Sequence, residues 1–289
     1  MTLGRVQALL DWYDDAARDL PWRRPDATPW GVLVSEVMLQ QTPVIRVLPA
    51  YRLWMQQWPT PSGLAAATPG DAVRAWGRLG YPRRALRLHE CATALVDRHG
   101  GEVPSDLEAL LCLPGVGAYT ARAVAAFAFG QRQPVVDTNV RRVVARAFRG
   151  QGEAGPPSTA RDLAAVAALL PAEPARAARV SVALMELGAV QCTARAPRCG
   201  DCPLRDTCAW RLAGAPPYTG PRARPQRFTG TDRQVRGLLL DVLRTSPVPV
   251  ERAALDVVWP DARQRARALD TLVLDGLVDP LPDGRYALP

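Results

Sequence analysis

The stretch Leu107-Glu108-Ala109-Leu110-Leu111-Cys112-Leu113-Pro114-Gly115-Val116-Gly117-Ala118-Tyr119-Thr120-Ala121-Arg122-Ala123-Val124 decides how the chain is read. Apolar residues at helical spacing run over Ser105 to Cys112, stop at the turn Leu113-Pro114-Gly115-Val116-Gly117, and resume over Ala118 to Phe129. Glycines in such a turn permit tight backbone geometry and close approach, so the next helix start can present bare N–H groups to an anion, for instance a phosphate of nucleic acid. Leu113, Gly115 and Gly117 are therefore candidate phosphate contacts. An ordinary corner between two helices would carry the same punctuation, and contacts of this kind position a protein without reading sequence.

Outward from this turn the pattern stays helical. Leu9, Leu10, Trp12 and Tyr13 sit on an opening helix, and Pro21 to Pro29 reads as a Pro-interrupted loop. Helices are expected at Ser35 to Gln41, Val44 to Gln57, Asp71 to Arg78 and Arg83 to Arg98, with another starting near Asp137. The body is all-α. Residues 211–230 are rich in Pro and Gly, with four arginines and no acid, and read as a basic linker. Residues 231–289 form a separate block, with helices expected at Arg233 to Arg244, Arg252 to Val258 and Ala262 to Leu274. The turn signal Pro282-Asp283-Gly284 follows, between two short extended pieces. Three helices and a hairpin suggest a winged-helix-like module.

The chain has 289 residues, 36 basic and 28 acidic, for a formal net charge of +8; every basic residue is arginine. Without lysine, mechanisms that use an ε-amine as nucleophile or Schiff-base partner are excluded. Guanidinium groups suit a polyanionic partner, because they bind phosphate in a planar fork and stay charged. The last block has eight arginines against nine acids, a net −1, so the preceding 230 residues hold +9. That balance weakens the reading of the tail as a DNA reader and favours packing or protein contact. Apolar content of 48% with 22% charge describes a globular chain. The opening Met1-Thr2-Leu3-Gly4-Arg5 lacks the pattern of an export signal, and no apolar run approaches a membrane span, so a cytoplasmic protein is expected.

Cys192, Cys199, Cys202 and Cys208 make a C-x6-C-x2-C-x5-C pattern within 17 residues. Four thiolates satisfy tetrahedral zinc, although all-cysteine zinc sites usually pair two short knuckles and only one is present. A compact loop of four thiolates also fits a [4Fe-4S] cluster. Cys91 and Cys112 are expected to be core thiols. Two carboxylates, Glu36 after Ser35 and Asp137 before Thr138-Asn139-Val140, stand at helix starts. Either alone reads as a cap or dipole partner. Together they can break an N-glycosidic bond: one protonates the departing base, and the other stabilises positive charge at the sugar C1′.

These segments, with Leu20-Pro21-Trp22-Arg23, Ser35-Glu36-Val37-Met38-Leu39-Gln40-Gln41-Thr42, Leu79-Gly80-Tyr81, Val136-Asp137-Thr138-Asn139-Val140 and Met185-Glu186-Leu187-Gly188-Ala189, occur in one order over about residues 8 to 210. The chain resembles the helix-hairpin-helix DNA glycosylases and, within them, the MutY branch of adenine DNA glycosylases. The resemblance implies a helix-hairpin-helix glycosylase domain over 1–210 with a [4Fe-4S] loop at 192–208. It implies Glu36 as the general acid toward adenine N7, Asp137 as the carboxylate that stabilises the oxocarbenium ion, and Tyr119 and Asn139 as assisting pocket residues. Gln41 and Tyr81 match residues that wedge into the duplex, offsetting part of the cost of unstacking the target base; Arg23 is a further DNA-binding candidate. The related endonuclease III group carries a catalytic lysine where Tyr119 stands, so base removal without strand cleavage is expected. The implied partner is double-stranded DNA bearing adenine opposite 8-oxoguanine or guanine, engaged by a monomer at the nucleoid.

Three departures stand out. Thr138 replaces a glycine common in the branch, Pro82 replaces a second tyrosine, and the Nudix-like C-terminal domain that reads 8-oxoguanine is expected to be absent. The only histidines, His89 and His99, lie far upstream of the tail and read as surface or packing residues. Two alternatives stand beside the adenine reading: a thymine or uracil mismatch glycosylase on the same scaffold, and a non-catalytic iron-sulfur DNA-binding regulator.

Overall fold

The computed structural model describes residues 1–220 and 228–289; the central part of the expected linker, 221–227, lies outside the described residues. The chain runs through α1 (Leu3–Ala16), a 3-10 turn at Pro21–Arg23, α2 (Pro29–Leu39), α3 (Val44–Gln57), α4 (Pro61–Ala65), α5 (Pro69–Trp76), α6 (Arg83–His99) and α7 (Leu107–Leu111). It continues with α8 (Ala118–Phe127), α9 (Thr138–Arg149), α10 (Thr159–Ala167), α11 (Pro174–Glu186), a π-helical turn at Leu187–Gln191, and α12 (Ala209–Leu212). Then come α13 (Asp232–Thr245), α14 (Arg252–Asp256), α15 (Ala262–Leu274), and the two-residue strands β1 (Asp279–Pro280) and β2 (Tyr286–Ala287). The strands pair antiparallel, and Val250 adds a bridge to Tyr286. Among the described residues no helix is long and apolar enough to cross a membrane.

The described residues cluster into two units. The first holds 1–32, 105–111 and 117–220; the second holds 33–104, 112–116 and 228–289. In the first, Val140, Val143, Val144 and Ala147 fall at i, i+3, i+4 and i+7 along α9 and form its buried stripe. They pack with Leu9 and Leu10 of α1 and with Val180 and Leu184 of α11. Each fully buried valine or leucine contributes about 1.5–3 kcal/mol. Cys192, Cys202 and Cys208 lie against this core, so α9 is the floor of the cysteine loop.

In the second unit, Trp54 packs edge-on against Trp58 and Trp76, with centroids 4.7 and 5.7 Å away. The start of α5 carries a reciprocal cap between Thr68 and Asp71. His89 is a packing residue, its Nε2 lying 2.8 Å from the Ala67 carbonyl. Cys91 is a core thiol whose pKa burial pushes up to about 12. Cys112 is not: the helix expected over Ser105 to Cys112 is only Leu107–Leu111, and Cys112 is exposed in the turn that follows. Helical periodicity carried the helix one residue too far, past its end at Leu111.

Candidate active site and iron–sulfur loop

The turn quoted first does join two helices, α7 and α8. Asp106 caps α7 through its Oδ2, which accepts from the Ala109 N–H at 2.8 Å. Val116 N–H closes the turn on the Leu113 carbonyl at 3.2 Å, and both side chains are buried. Gly115 sits at φ 74°, and a Cβ there would lie 2.8 Å from Arg87 Cβ, so conformation and space both require glycine. Gly117 is the N-cap of α8, whose first turn carries Tyr119. The Tyr119 ring packs on the layer formed by Ala123, Ala126, Val135 and Ala178, two residues before Asp137.

Asp137 is the N-cap of α9, accepting from the Val140 N–H at 2.7 Å. Its other oxygen accepts from Asn139 Nδ2 at 2.8 Å. Burial pushes its pKa above the ordinary carboxylate value, opposed by these hydrogen bonds and by the Arg142 charge. Asn139 is gripped in turn, its Oδ1 accepting from Arg142 Nη2 at 2.7 Å. Arg142 also donates from Nη2 to the Gly188 carbonyl at 2.6 Å and from Nε to the Cys192 carbonyl at 2.7 Å. One helical turn on, Arg146 donates to Cys192 Sγ at 3.5 Å and to the Thr193 carbonyl at 2.7 Å, and it lies 4.9 Å from the Trp210 ring centroid. Asp137 and the cysteine loop are thus joined through two arginines that sequence reading passed over. Their signal was the i, i+4 spacing on α9, hidden by the abundance of arginine.

Gly188 explains the Met185-Glu186-Leu187-Gly188 motif. A Cβ on it would lie 2.7 Å from both the Cβ and the carbonyl oxygen of Asn139, so only glycine lets the π-turn touch the start of α9. Glu186, fully buried, binds Arg18 through both carboxylate oxygens at 2.6 and 2.7 Å and Arg23 at 2.7 Å. Burial alone would raise its pKa, but hydrogen bonds and charge from Arg18 and Arg23 outweigh that and hold it at about 2. Arg23 is therefore ion-paired, its side chain 14% exposed.

Glu36 belongs to the second unit, where it is the single charged residue of α2 and is 5% exposed, beside buried Ser35. A buried carboxylate in an apolar helix costs stability and marks a functional-site candidate. At the end of α2, Gln41 has φ 53°; Tyr81, in the turn before α6, has φ 48°. Left-handed backbone is unfavourable for side chains with a Cβ, and among the described non-glycine residues only Ala215 shares it. Arg84 holds both turns. It donates from Nη1 to the Val37 and Gln40 carbonyls at 2.7 and 2.8 Å, and from Nη2 to Thr42 Oγ1 and the Gly80 carbonyl, both at 3.0 Å. Burial lowers its pKa to about 10, so it stays charged at neutral pH.

The four cysteines border one pocket floored by Val143, Ala147, Leu187 and Leu204. Four thiols gathered at one pocket suit an iron-sulfur cluster, which takes one thiolate at each of its corners. Residues 192–208 match the iron-sulfur binding domain of endonuclease III, and residues 34–168 match the HhH-GPD superfamily base excision DNA repair protein model. The chain is similar to the adenine DNA glycosylase of Mycobacterium tuberculosis, at 62% identity over 97% of this chain and 92% of that protein. It is 61% identical to the Mycolicibacterium smegmatis adenine DNA glycosylase over 100% of this chain and 97% of that protein. The solved structure of a thermostable thymine-DNA glycosylase superposes with a TM-score of 0.64 at 28% identity, covering 73% of this chain and 97% of that chain. The match extends through the cysteine loop and the carboxylate-bearing helices, and on this ground the chain belongs to the adenine DNA glycosylase family of the HhH-GPD superfamily of base excision DNA repair proteins.

Proposed function

We propose that the chain hydrolyses the N-glycosidic bond of adenine mispaired with 8-oxoguanine or guanine in double-stranded DNA, as a monomer at the nucleoid. The observation that carries this reading is the setting of two carboxylates: Glu36, buried in an otherwise uncharged helix, and Asp137, half-buried at the cap of α9, where the Val140 and Asn139 N–H donors and the Arg142 charge favour its ionised form. Glu36 delivers a proton to adenine N7 as the C1′–N9 bond breaks and its electron pair passes to the base. Asp137, ionised, stabilises the positive charge at C1′ until water adds there and loses a proton. Asn139 keeps Asp137 aimed through its 2.8 Å hydrogen bond, and Tyr119 packs on the Ala123, Ala126, Val135 and Ala178 layer and assists base removal.

Gln41 and Tyr81 wedge into the duplex, held by Arg84, while the Leu113, Gly115 and Gly117 turn receives a phosphate through backbone N–H groups. Arg23 offers its remaining donors to the backbone. Cys192, Cys199, Cys202 and Cys208 hold the [4Fe-4S] cluster, which supplies a rigid, DNA-docking loop, since hydrolysis moves no electron. In this reading residues 1–210 form the glycosylase domain, 211–230 a linker and 231–289 a winged-helix-like module.

Tyr119 stands where the endonuclease III group has lysine, and the chain has none, so the product is an intact abasic strand. The test is a duplex carrying adenine opposite 8-oxoguanine: the strand stays whole until hot alkali is added. Nicking at the same rate without alkali contradicts the monofunctional reading.

A further inference from the structure

The C-terminal segment has no assigned task, and its charge argues against an independent DNA reader. Six of its eight arginines, at 236, 244, 252, 265, 267 and 285, pair with carboxylates of the segment itself. What it does contact, within the second unit, are the two helices on either side of the Tyr81 turn. On α5, Arg244 Nε donates to the Val73 carbonyl at 3.0 Å. The C-terminal Pro289 oxygen seats so closely on Gly70 that a Cβ there would lie 2.3 Å away. Beyond α5, Arg78 pairs with Asp241 at 2.7 Å; on α6, Arg83 pairs with Asp275 at 3.3 Å. These anchors bring α13 alongside the turn, and Arg233, in its first helical turn, places its guanidinium carbon 5.6 Å from the Tyr81 ring centroid. Arg84 lies 5.5 Å from the same centroid. Tyr81 is 46% exposed on left-handed backbone, a ring that solvent alone would not hold in one direction.

We infer that the docked C-terminal segment supplies Arg233 as a positioning residue for Tyr81, keeping the ring ready to enter the duplex. This rests on reading Tyr81 as the wedge. A guanidinium within about 6 Å of an aromatic ring is attracted to its face, and at exposed sites the effect corresponds to about a two- to fivefold change in an equilibrium constant.

The experiment measures mispaired-duplex affinity and its salt dependence for the iron-loaded full chain and for Arg233→Ala, Arg233→Lys, Tyr81→Ala and the Arg233→Ala/Tyr81→Ala double variant. Arg233→Ala is expected to weaken binding about two- to fivefold. Arg233→Lys should recover most of the loss. In the Tyr81→Ala background Arg233→Ala should cost nothing further, and the salt slope should be unchanged throughout. A full additive loss in the double variant, with the slope reduced by about one, means that Arg233 grips phosphate directly and overturns the inference. An Arg233→Ala variant binding like the parent overturns it as well. If Tyr81→Ala itself leaves affinity unchanged, the wedge reading fails first and takes the inference with it.

Discussion

Replacing Arg142 by methionine keeps an apolar stem of similar reach and deletes every N–H of the group that joins Asn139, Gly188 and Cys192. Three hydrogen bonds of 2.6–2.7 Å disappear. Charged donors contribute about 1.5–3 kcal/mol each, and the half-buried setting argues for the low end, so the loss is about 4–5 kcal/mol. At roughly 2–4 °C per kcal/mol for a unit of this size, the thermal midpoint should fall by roughly 8–20 °C. Two further effects separate this from general weakening. The Cys192 carbonyl loses its strap, so iron should be released faster to a chelator, followed by the decay of the cluster's visible absorbance. Asp137 loses a positive neighbour that holds its pKa down, so the acid limb of single-turnover base release should move to higher pH. Arg142→Lys retains the charge but cannot span three acceptors, so it should restore the pH limb more than the iron retention. A methionine variant with parental midpoint, iron release and pH limb would refute the reasoning.

Glu186→Gln removes the carboxylate shared by Arg18 and Arg23 and should cost about 3–5 kcal/mol, read as a lowered denaturation midpoint. In the parent, the depressed pKa makes this stability complete above the unfolded value of 4.5 and lost as pH falls toward about 2, so the difference between parent and variant should shrink across that window. Gly188→Ala places a methyl against Asn139 backbone atoms 2.7 and 2.8 Å away, and should cost about 1–3 kcal/mol while slowing base release through the displaced Asn139. Glu36→Gln should slow base release by about 10²–10⁴-fold with duplex affinity retained, which single-turnover kinetics and a binding titration separate; normal turnover would remove it from the mechanism.

Local pattern explains most of what sequence reading located. Val44–Gln57 and Ala262–Leu274 fall on the expected boundaries, because apolar spacing and flanking proline or aspartate specify them locally. The cysteine loop was visible from spacing, though spacing alone left zinc open. Proline at N1 moved two helices: α2 begins at Pro29, well before Ser35, and α5 at Pro69, before Asp71. The short α4 was not anticipated, nor were α10, α11 and α12. Long-range partners were invisible for a different reason. Arg84 bridges two turns about forty residues apart, and the C-terminal segment contacts residues near 70–83; neither leaves a periodic trace. Glu36 and Asp137 stood out by residue type and company, whereas Arg142 and Arg146 were two among 36 arginines.

The central claim is the identity of the excised base. Single-turnover release with alkaline workup should be measured on duplexes carrying adenine opposite 8-oxoguanine, adenine opposite guanine, thymine opposite guanine and uracil opposite guanine. The account predicts release of adenine from the first two and little from the others. Release of thymine or uracil faster than adenine, or no release from either adenine mispair, would contradict it.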